Sequence, residues 1–355
     1  MNSDRIQEIL DLMEEARLDY FLISDPQSIA YCTGYYNDPH ERMFVFMISK
    51  HGNHTLFMND LFYLDHDLDV NIVWHKDGQD AIQTIVDEMH FPGRIGIDKN
   101  WASHFLLDLM KKLPDAKYIN ASPCVDLVRM KKDLQEQVLM IESSKINDAV
   151  MEEIIPFIQE GVTEKQLAKK LDELFFNHHS TCYGAIVAFG KNAADPHHEN
   201  DDTLLRKGDC VLIDMGCVYK GYCSDMTRTF FYEGILEEEI KVYEIVKKAN
   251  EAAEAMIKPG VKLSDIDKCA RKVISDEGYG KYFTHRLGHF IGRDVHEYGD
   301  VSSVNEMEVE EGMIFSIEPG IYLEGNFGVR VEDLVMVTKD GCQVLNSFTK
   351  DIYII

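Results

Sequence analysis

Apolar positions in the first 125 residues follow two periods in turn. Ile6, Ile9, Leu10 and Met13 recur on one face of residues 3 to 17, the spacing of an amphipathic helix, and residues 77 to 90 and 101 to 113 predict two more helices. Between them lie short runs rich in aliphatic and aromatic residues, DYFLIS, MFVFMIS, HTLFMN, NIVWH and RIGID, which read as strands. Helices alternating with strands predict an α/β domain built on a central sheet.

Beyond residue 125 the pattern changes. The stretch VDLVRMKKDLQEQVLMIESSKINDAVMEEIIPFI predicts a connector running into long helices, with no Gly/Ser-rich linker, and sets domains of 1–125 and 126–355. The second domain reads as doubled. A helix to about 159 is followed by EGVTEKQLAKKLDELF and strands, and a helix to about 257 by PGVKLSDIDKCARKVI and strands. Gly161-Val162 and Gly260-Val261 hold equivalent places. Thr163 and Ser264 are the expected N-caps, and Thr163 with Gln166 forms a capping-box pattern. An internally duplicated α+β domain follows.

Each half carries acids where acids are costly. In residues 209 to 230, DCVLIDMGCVYKGYCSDMTRTF, two strand-like runs flank a Tyr219-Lys220-Gly221 turn signal. A hairpin symmetric about Tyr219 and Lys220 sets Asp214 opposite Asp225, where the carboxylates repel unless a cation lies between them. In residues 313 to 337, MIFSIEPGIYLEGNFGVRVEDLVMV, a fold about Glu324-Gly325-Asn326 sets Glu318 opposite Glu332. Unpaired charges interrupting apolar strands are expensive. The stretch THRLGHFIGRDVHE adds His285, His289 and His296, with Gly288 and Gly292 permitting close backbone approach. Hard oxygen donors with an imidazole suit divalent manganese, cobalt, zinc or iron. Two such ions sharing bridging carboxylates could activate a water between them.

The stretches IDMGCVYKGYCSDMTRTF, HRLGHFIGRDVHE, SIEPGIY and VRVED, with AIVAFGKNAADPHH upstream, resemble the pita-bread metallopeptidases of the aminopeptidase P and prolidase family. The likeness extends over much of the second domain and fills all five ligand positions. It implies an α/β N-terminal domain joined to a pita-bread catalytic domain and a dinuclear centre, manganese first, with cobalt, zinc or iron as alternatives. Asp214 would serve one ion, His289 and Glu318 the other, with Asp225 and Glu332 bridging. The resemblance also implies His197 and His296 as catalytic histidines, Glu318 as the proton shuttle, and attack by a metal-bridged hydroxide on the bond before proline. The choice of His197 over His198 rests on the family pattern alone. Arg286 stands where many relatives have glycine.

Net charge narrows the partners. With 62 acidic against 36 basic residues the chain carries −26, which repels nucleic acid and anionic membrane surfaces. No apolar run approaches the roughly 18 residues of a membrane helix. The N-terminus lacks the basic start and apolar middle of a signal peptide. Eight cysteines without a CxxC pair, Cys217 and Cys223 among them, read as buried thiols of a reducing cytoplasm. Arg330, two residues from Glu332 on a predicted strand, is expected on the same face. There it would hold a substrate carboxylate with His197 and His285. Arg293 lies between His289 and His296 and is expected near the site.

The segment TGYYNDPHERM holds Asp38, His40 and Arg42 in a charged turn. Together with HRLGH it resembles the short bacterial prolidases, implying an Xaa-Pro dipeptidase that is a homodimer, with this turn bordering the partner's site and contributing to substrate binding. The alternatives are an aminopeptidase P acting on longer peptides and a non-catalytic binding protein on the same fold. Hydrolysis of a small guanidino compound fits poorly, because such relatives do not keep the ligand set.

Overall fold

The computed structural model describes residues 1–90 and 92–355. It divides into two compact units, Met1–Arg129 and Met130–Ile355. The first contains α1 (Ser3–Glu15), β1 (Tyr20–Ile23), α2 (Pro26–Thr33), β2 (Val45–Ser49), β3 (Thr55–Asn59), β4 (Asn71–His75), α3 (Ala81–Glu88), β5 (Arg94–Ile97), α4 (Ser103–Lys112), β6 (Lys117–Asn120) and α5 (Ser122–Met130). The strands form one mixed sheet in the order β4-β3-β2-β1-β5-β6. The division falls at the end of α5 because its Cys124, Val125 and Val128 belong to the same core as Ile6, Ile9 and Phe46.

Two elements of this unit escape hydrophobic periodicity. Helix α2 is buried along most of its length, so it has no polar face to mark a helical period. Its signals are Asp25 as N-cap, Pro26 at the first helical turn and Gly34, at φ 81°, as C-cap. Strand β6 is a four-residue edge of two exposed and two half-exposed side chains, too short and too polar to stand out.

The second unit contains α6 (Leu134–Ile154), α7 (Glu164–Asn177), β7 (Thr181–Cys182), β8 (Ile186–Phe189), β9 (Cys210–Met215), β10 (Cys217–Tyr219), β11 (Tyr222–Cys223), β12 (Met226–Phe231), α8 (Glu237–Met256), α9 (Leu263–Asp276), β13 (Gly288–His289), β14 (Asp300–Val301), β15 (Ile314–Ile317), β16 (Gly320–Leu323), β17 (Phe327–Arg330), β18 (Asp333–Val337) and β19 (Cys342–Val344). Two helices followed by antiparallel strands thus occur twice, the α+β duplication expected. Thr163 caps α7, and its capping box with Gln166 is formed in both directions. Ser264 is not the second cap. It lies inside α9, which is preceded by Lys262, and its hydroxyl donates to Glu306 at 3.0 Å. Among the described residues no cysteine forms a disulfide; Cys217 lies across from Cys182, and Cys223 across from Val218. Among the described residues no helix is long and apolar enough to cross a membrane.

Candidate metal centre

The first acidic hairpin is set by its turn. Lys220 and Gly221 both adopt left-handed backbone, at φ 48° and 82°, the two-residue geometry that matches strand twist. Tyr219 therefore pairs with Tyr222, Met215 with Met226 and Asp214 with Thr227. Asp214 does not lie opposite Asp225. The turn is centred one residue later than expected, because glycine accepts positive φ where tyrosine would be strained. Asp225 falls at the break between β11 and β12, and the two carboxylates meet on one cavity as diagonal neighbours. In the second hairpin, Ile317 pairs with Asp333 and Gly320 with Arg330 about Glu324-Gly325-Asn326. That single register sets Glu318 across from Glu332.

His289 enters on β13, paired with β14. A Cβ on Gly288 would run into the backbone carbonyl of Ser316, so only glycine lets this strand approach β15. The His289 amide donates to Ser316 Oγ at 3.0 Å, and Nδ1 lies 3.2 Å from the Phe290 carbonyl. This leaves Nε2 facing Asp225 at 3.6 Å, Glu318 at 3.7 Å and Glu332 at 4.0 Å. An imidazole held at one nitrogen by a carbonyl, with the other aimed at acids, has the posture of a metal ligand.

These groups line a cavity of about 690 Å³ together with His197, His285, Arg286, His296 and Arg330, and with Tyr183, Ile186, Pro196 and Val295 as its less polar wall. Burial pushes Glu318 up to about 7, with His289 and Arg330 opposing it and Asp214 adding to it. Burial likewise lifts Asp214 to about 6 against the pull of Arg330. Glu332 is driven well above the carboxylate range by burial and by Asp225 and Glu318. Burial alone would lower His289, but Asp225 and Glu318 outweigh it and raise it. Ligand atoms of Asp225, His289 and Glu332 lie within 4.8 Å of one another. Four crowded carboxylates and one imidazole, short of positive charge, fit divalent cations.

A hydrogen-bonded frame holds the acids. Arg330 donates from Nη2 to Asp214 Oδ2 at 2.6 Å, from Nη1 to Tyr322 Oη at 3.0 Å and from Nε to Thr227 Oγ1 at 3.0 Å. Thr227 in turn donates to Glu332 Oε2 at 2.7 Å, and Tyr322 Oη lies 2.8 Å from His285 Nε2. Arg228, 1% exposed, donates to the Glu332 carbonyl and pairs with Asp333 at 2.7 Å. The guanidinium of Arg330 is thus spent on the site's own groups and is a clamp on Asp214 in this geometry, not an open receptor for a carboxylate. Thr227 and Tyr322 are site residues beyond those the sequence marks. Tyr322's spacing of four from Glu318, with period-two alternation, was the available signal for it.

The remaining candidates separate by position. His197 lines the cavity, whereas His198 turns away to Glu164 at 2.6 Å. Glu164 also accepts from the amides of Phe189 and Asp201 and from Asn192, so the Glu164-His198-Asp201 cluster is internally satisfied. The His296 ring stands edge-on to His289 at 4.2 Å. Burial, with His289 and Arg286 nearby, lowers His296 to about 4. Burial also lowers His285 to about 4. Arg293 is not among the cavity residues; its guanidinium lies against Gly221 and over the Tyr222 ring. Arg286 lines the cavity with Arg330 and lies 3.9 Å from Asp300. Asp38, His40 and Arg42 belong to the first unit. There Arg42 pairs with Asp77 through two hydrogen bonds and with Glu41, and His40 folds back to Asp38 at φ 51°.

Residues 138–339 match the sequence profile of metallopeptidase family M24, and residues 5–131 that of the creatinase/prolidase N-terminal domain. The chain belongs to metallopeptidase family M24. Its fold matches a dipeptidase from Pyrococcus horikoshii OT3 at TM-score 0.92 and 34% identity, covering 99% of this chain and 100% of that one. It matches an Xaa-Pro dipeptidase from Bacillus anthracis at TM-score 0.92 and 28% identity, covering 99% of each. An X-Pro aminopeptidase from Thermotoga maritima MSB8 matches at TM-score 0.85 and 29% identity, over 97% of this chain and 100% of that one. As a member of M24 with the pita-bread fold, the protein is a hydrolase of the metallopeptidase class, and the family implies divalent metal ions.

Proposed function

We propose that this protein is an Xaa-Pro dipeptidase with two divalent ions, manganese first, working in the cytoplasm. The observation that carries the reading is the convergence of Asp214, Asp225, His289, Glu318 and Glu332 on one cavity in a chain of family M24. Asp214 would hold one ion, His289 and Glu318 the other, and Asp225 and Glu332 both. When bound, the ions supply Lewis acidity that activates the attacking water. Glu318, on the cavity wall, takes the water's proton on its carboxylate and returns it to the leaving proline nitrogen. His296 stays neutral at pH 7 and donates a hydrogen bond to the oxygen where charge develops. His197 lies beside it on the same cavity and orients the substrate.

Proline is a tertiary amide without an N–H, so the site must hold its ring and fix the bond's direction. Ile186, Pro196 and Val295 offer the apolar wall. The free carboxylate of a dipeptide needs a cation not already committed, and Arg286, loosely held by Asp300, replaces Arg330 in that role. Aminopeptidase action remains the second reading, supported by the likeness to the Thermotoga maritima enzyme. A binding protein without catalysis is disfavoured, since all five donors are present.

Comparison of Leu-Pro and Met-Pro with the same sequences carrying a C-terminal amide or extra residues decides between these readings. Dipeptides should be cleaved and blocked or extended peptides cleaved poorly, with Arg286→Ala raising KM for dipeptides. Equal cleavage of the extended peptides would move the assignment to aminopeptidase P. The homodimer is part of this proposal. The turn carrying Asp38 and His40, tied down by Arg42, would border the partner's site.

A further inference from the structure

Beside the cavity lies an ion pair that the chemistry above does not use. Lys132 Nζ sits 2.9 Å from Glu297 Oε2, with side chains only 1% and 5% exposed. The lysine is fixed at its root: its amide donates to the Gly312 carbonyl at 2.8 Å and its carbonyl accepts from Gln137 Nε2 at 2.8 Å. The glutamate is fixed at both ends. Its backbone amide donates to the Phe290 carbonyl at 2.8 Å, and its Oε1 accepts the Arg293 amide at 2.8 Å. A Cβ on Gly292 would sit 2.7 to 2.9 Å from this carboxylate, so the loop from Gly292 to Glu297 is folded closely around it. His296 is the last residue of that loop before Glu297, and its ring stands edge-on to His289.

Burying two charges gains little over a matched apolar pair, so this pair invites a reason beyond stability. We propose that Lys132 is a positioning residue for His296. It holds Glu297, Glu297 closes the Gly292–Glu297 loop, and the closed loop keeps the imidazole pointing at the reacting carbonyl. This inference rests on the reading of His296 as the donor to the developing charge. Lys132 touches no substrate in this scheme. Its effect should fall on turnover and should depend on His296 being present.

A double-mutant cycle of Lys132→Met and His296→Ala tests this on the metal-loaded enzyme with Leu-Pro. Lys132→Met should lower kcat by roughly 10- to 100-fold, the scale of a small misplacement of a catalytic group. KM and metal content should stay near those of the parent. In the His296→Ala background the same change should have little further effect. A Lys132→Met variant with parental kcat, or one whose loss is the same with and without His296, overturns the inference and leaves the pair purely structural. If His296→Ala alone keeps full turnover, the reading of His296 fails first, and the two failures are distinguishable. If Lys132→Met does not fold, Glu297→Gln, which keeps an oxygen for the Arg293 amide, runs the same cycle. Loss of turnover that vanishes without His296 supports the proposal, and additive loss refutes it.

Discussion

At His296 the chemistry comes down to one ring. Neutral near pH 7 and 4.2 Å from His289, it can donate to a developing oxyanion without bringing a second positive charge beside His289. Loss of one such donor costs roughly 10²- to 10³-fold in turnover, so His296→Ala should show that loss with unchanged metal content by elemental analysis. The acids make a second prediction. Glu318 rises from 4.5 to about 7 and Asp214 from 3.8 to about 6, burial being the main cause. A raised carboxyl makes the metal-free folded state bind more protons than the unfolded chain, so stability falls as pH climbs between the two values. His289, also raised, works in the same direction. Thermal melts of chelated protein should therefore lose Tm between pH 4.5 and 7. Added manganese should restore most at the upper end, and a Tm that rises with pH across this window would count against the crowded-acid account.

Helices and strands bring their own test at Gly288. Strand β13 can lie against β15 only because no Cβ meets the Ser316 carbonyl, and this contact sets His289 beside Glu318. Gly288→Ala should destabilise by about 1 to 3 kcal/mol, as forced overpacking does, and should weaken metal binding because two ligands shift together. Gly325→Ala is the control. That glycine, unlike Gly288, has positive φ, at 76°, and nothing lies near its Cβ. It should cost about 1 to 2 kcal/mol of backbone strain and leave metal affinity intact. Calorimetric melts and metal titration of both variants separate crowding from strain. The acidic hairpins were legible as hairpins from Gly221 and Gly325. Their registers were not equally legible: a three-residue turn fixed Glu318 across from Glu332, while the Lys220-Gly221 turn moved the partner of Asp214 from Asp225 to Thr227.

For the whole molecule, the proposed homodimer makes a physical prediction. Tyr36, Leu61, Tyr63 and Trp74, all in the first unit, are exposed by 44% to 82%. Trp74 lies on β4, the outer strand of the sheet, Leu61 and Tyr63 follow β3, and Tyr35 ties the 34–36 stretch to Tyr63 through its carbonyl. Large exposed side chains on an uncovered edge strand are a common place for chains to associate. Light scattering should give twice the chain mass of 40.8 kDa, and Trp74→Lys should shift the population toward monomer. A monomer at every concentration would remove the dimer and its shared site.

The sequence by itself determined which residue types could do chemistry. Carboxylates that interrupt apolar strands, and His289 set between Gly288 and Gly292, stand out because burial without partners is costly. Alternation of period two and repetition of the helix-strand pattern were enough for an α/β unit followed by a duplicated α+β unit. Only the tertiary structure decided which groups are free to act. Arg330 and Arg293 carry the same charge in the sequence, yet one is spent on Asp214, Thr227 and Tyr322 and the other lies against Tyr222 outside the cavity. Arg286, in the sequence only a departure from the family pattern, stands on the wall. A side chain's availability depends on partners brought from 8 to 116 residues away, such as Tyr322 and Asp214 for Arg330, and local spacing carries no record of them.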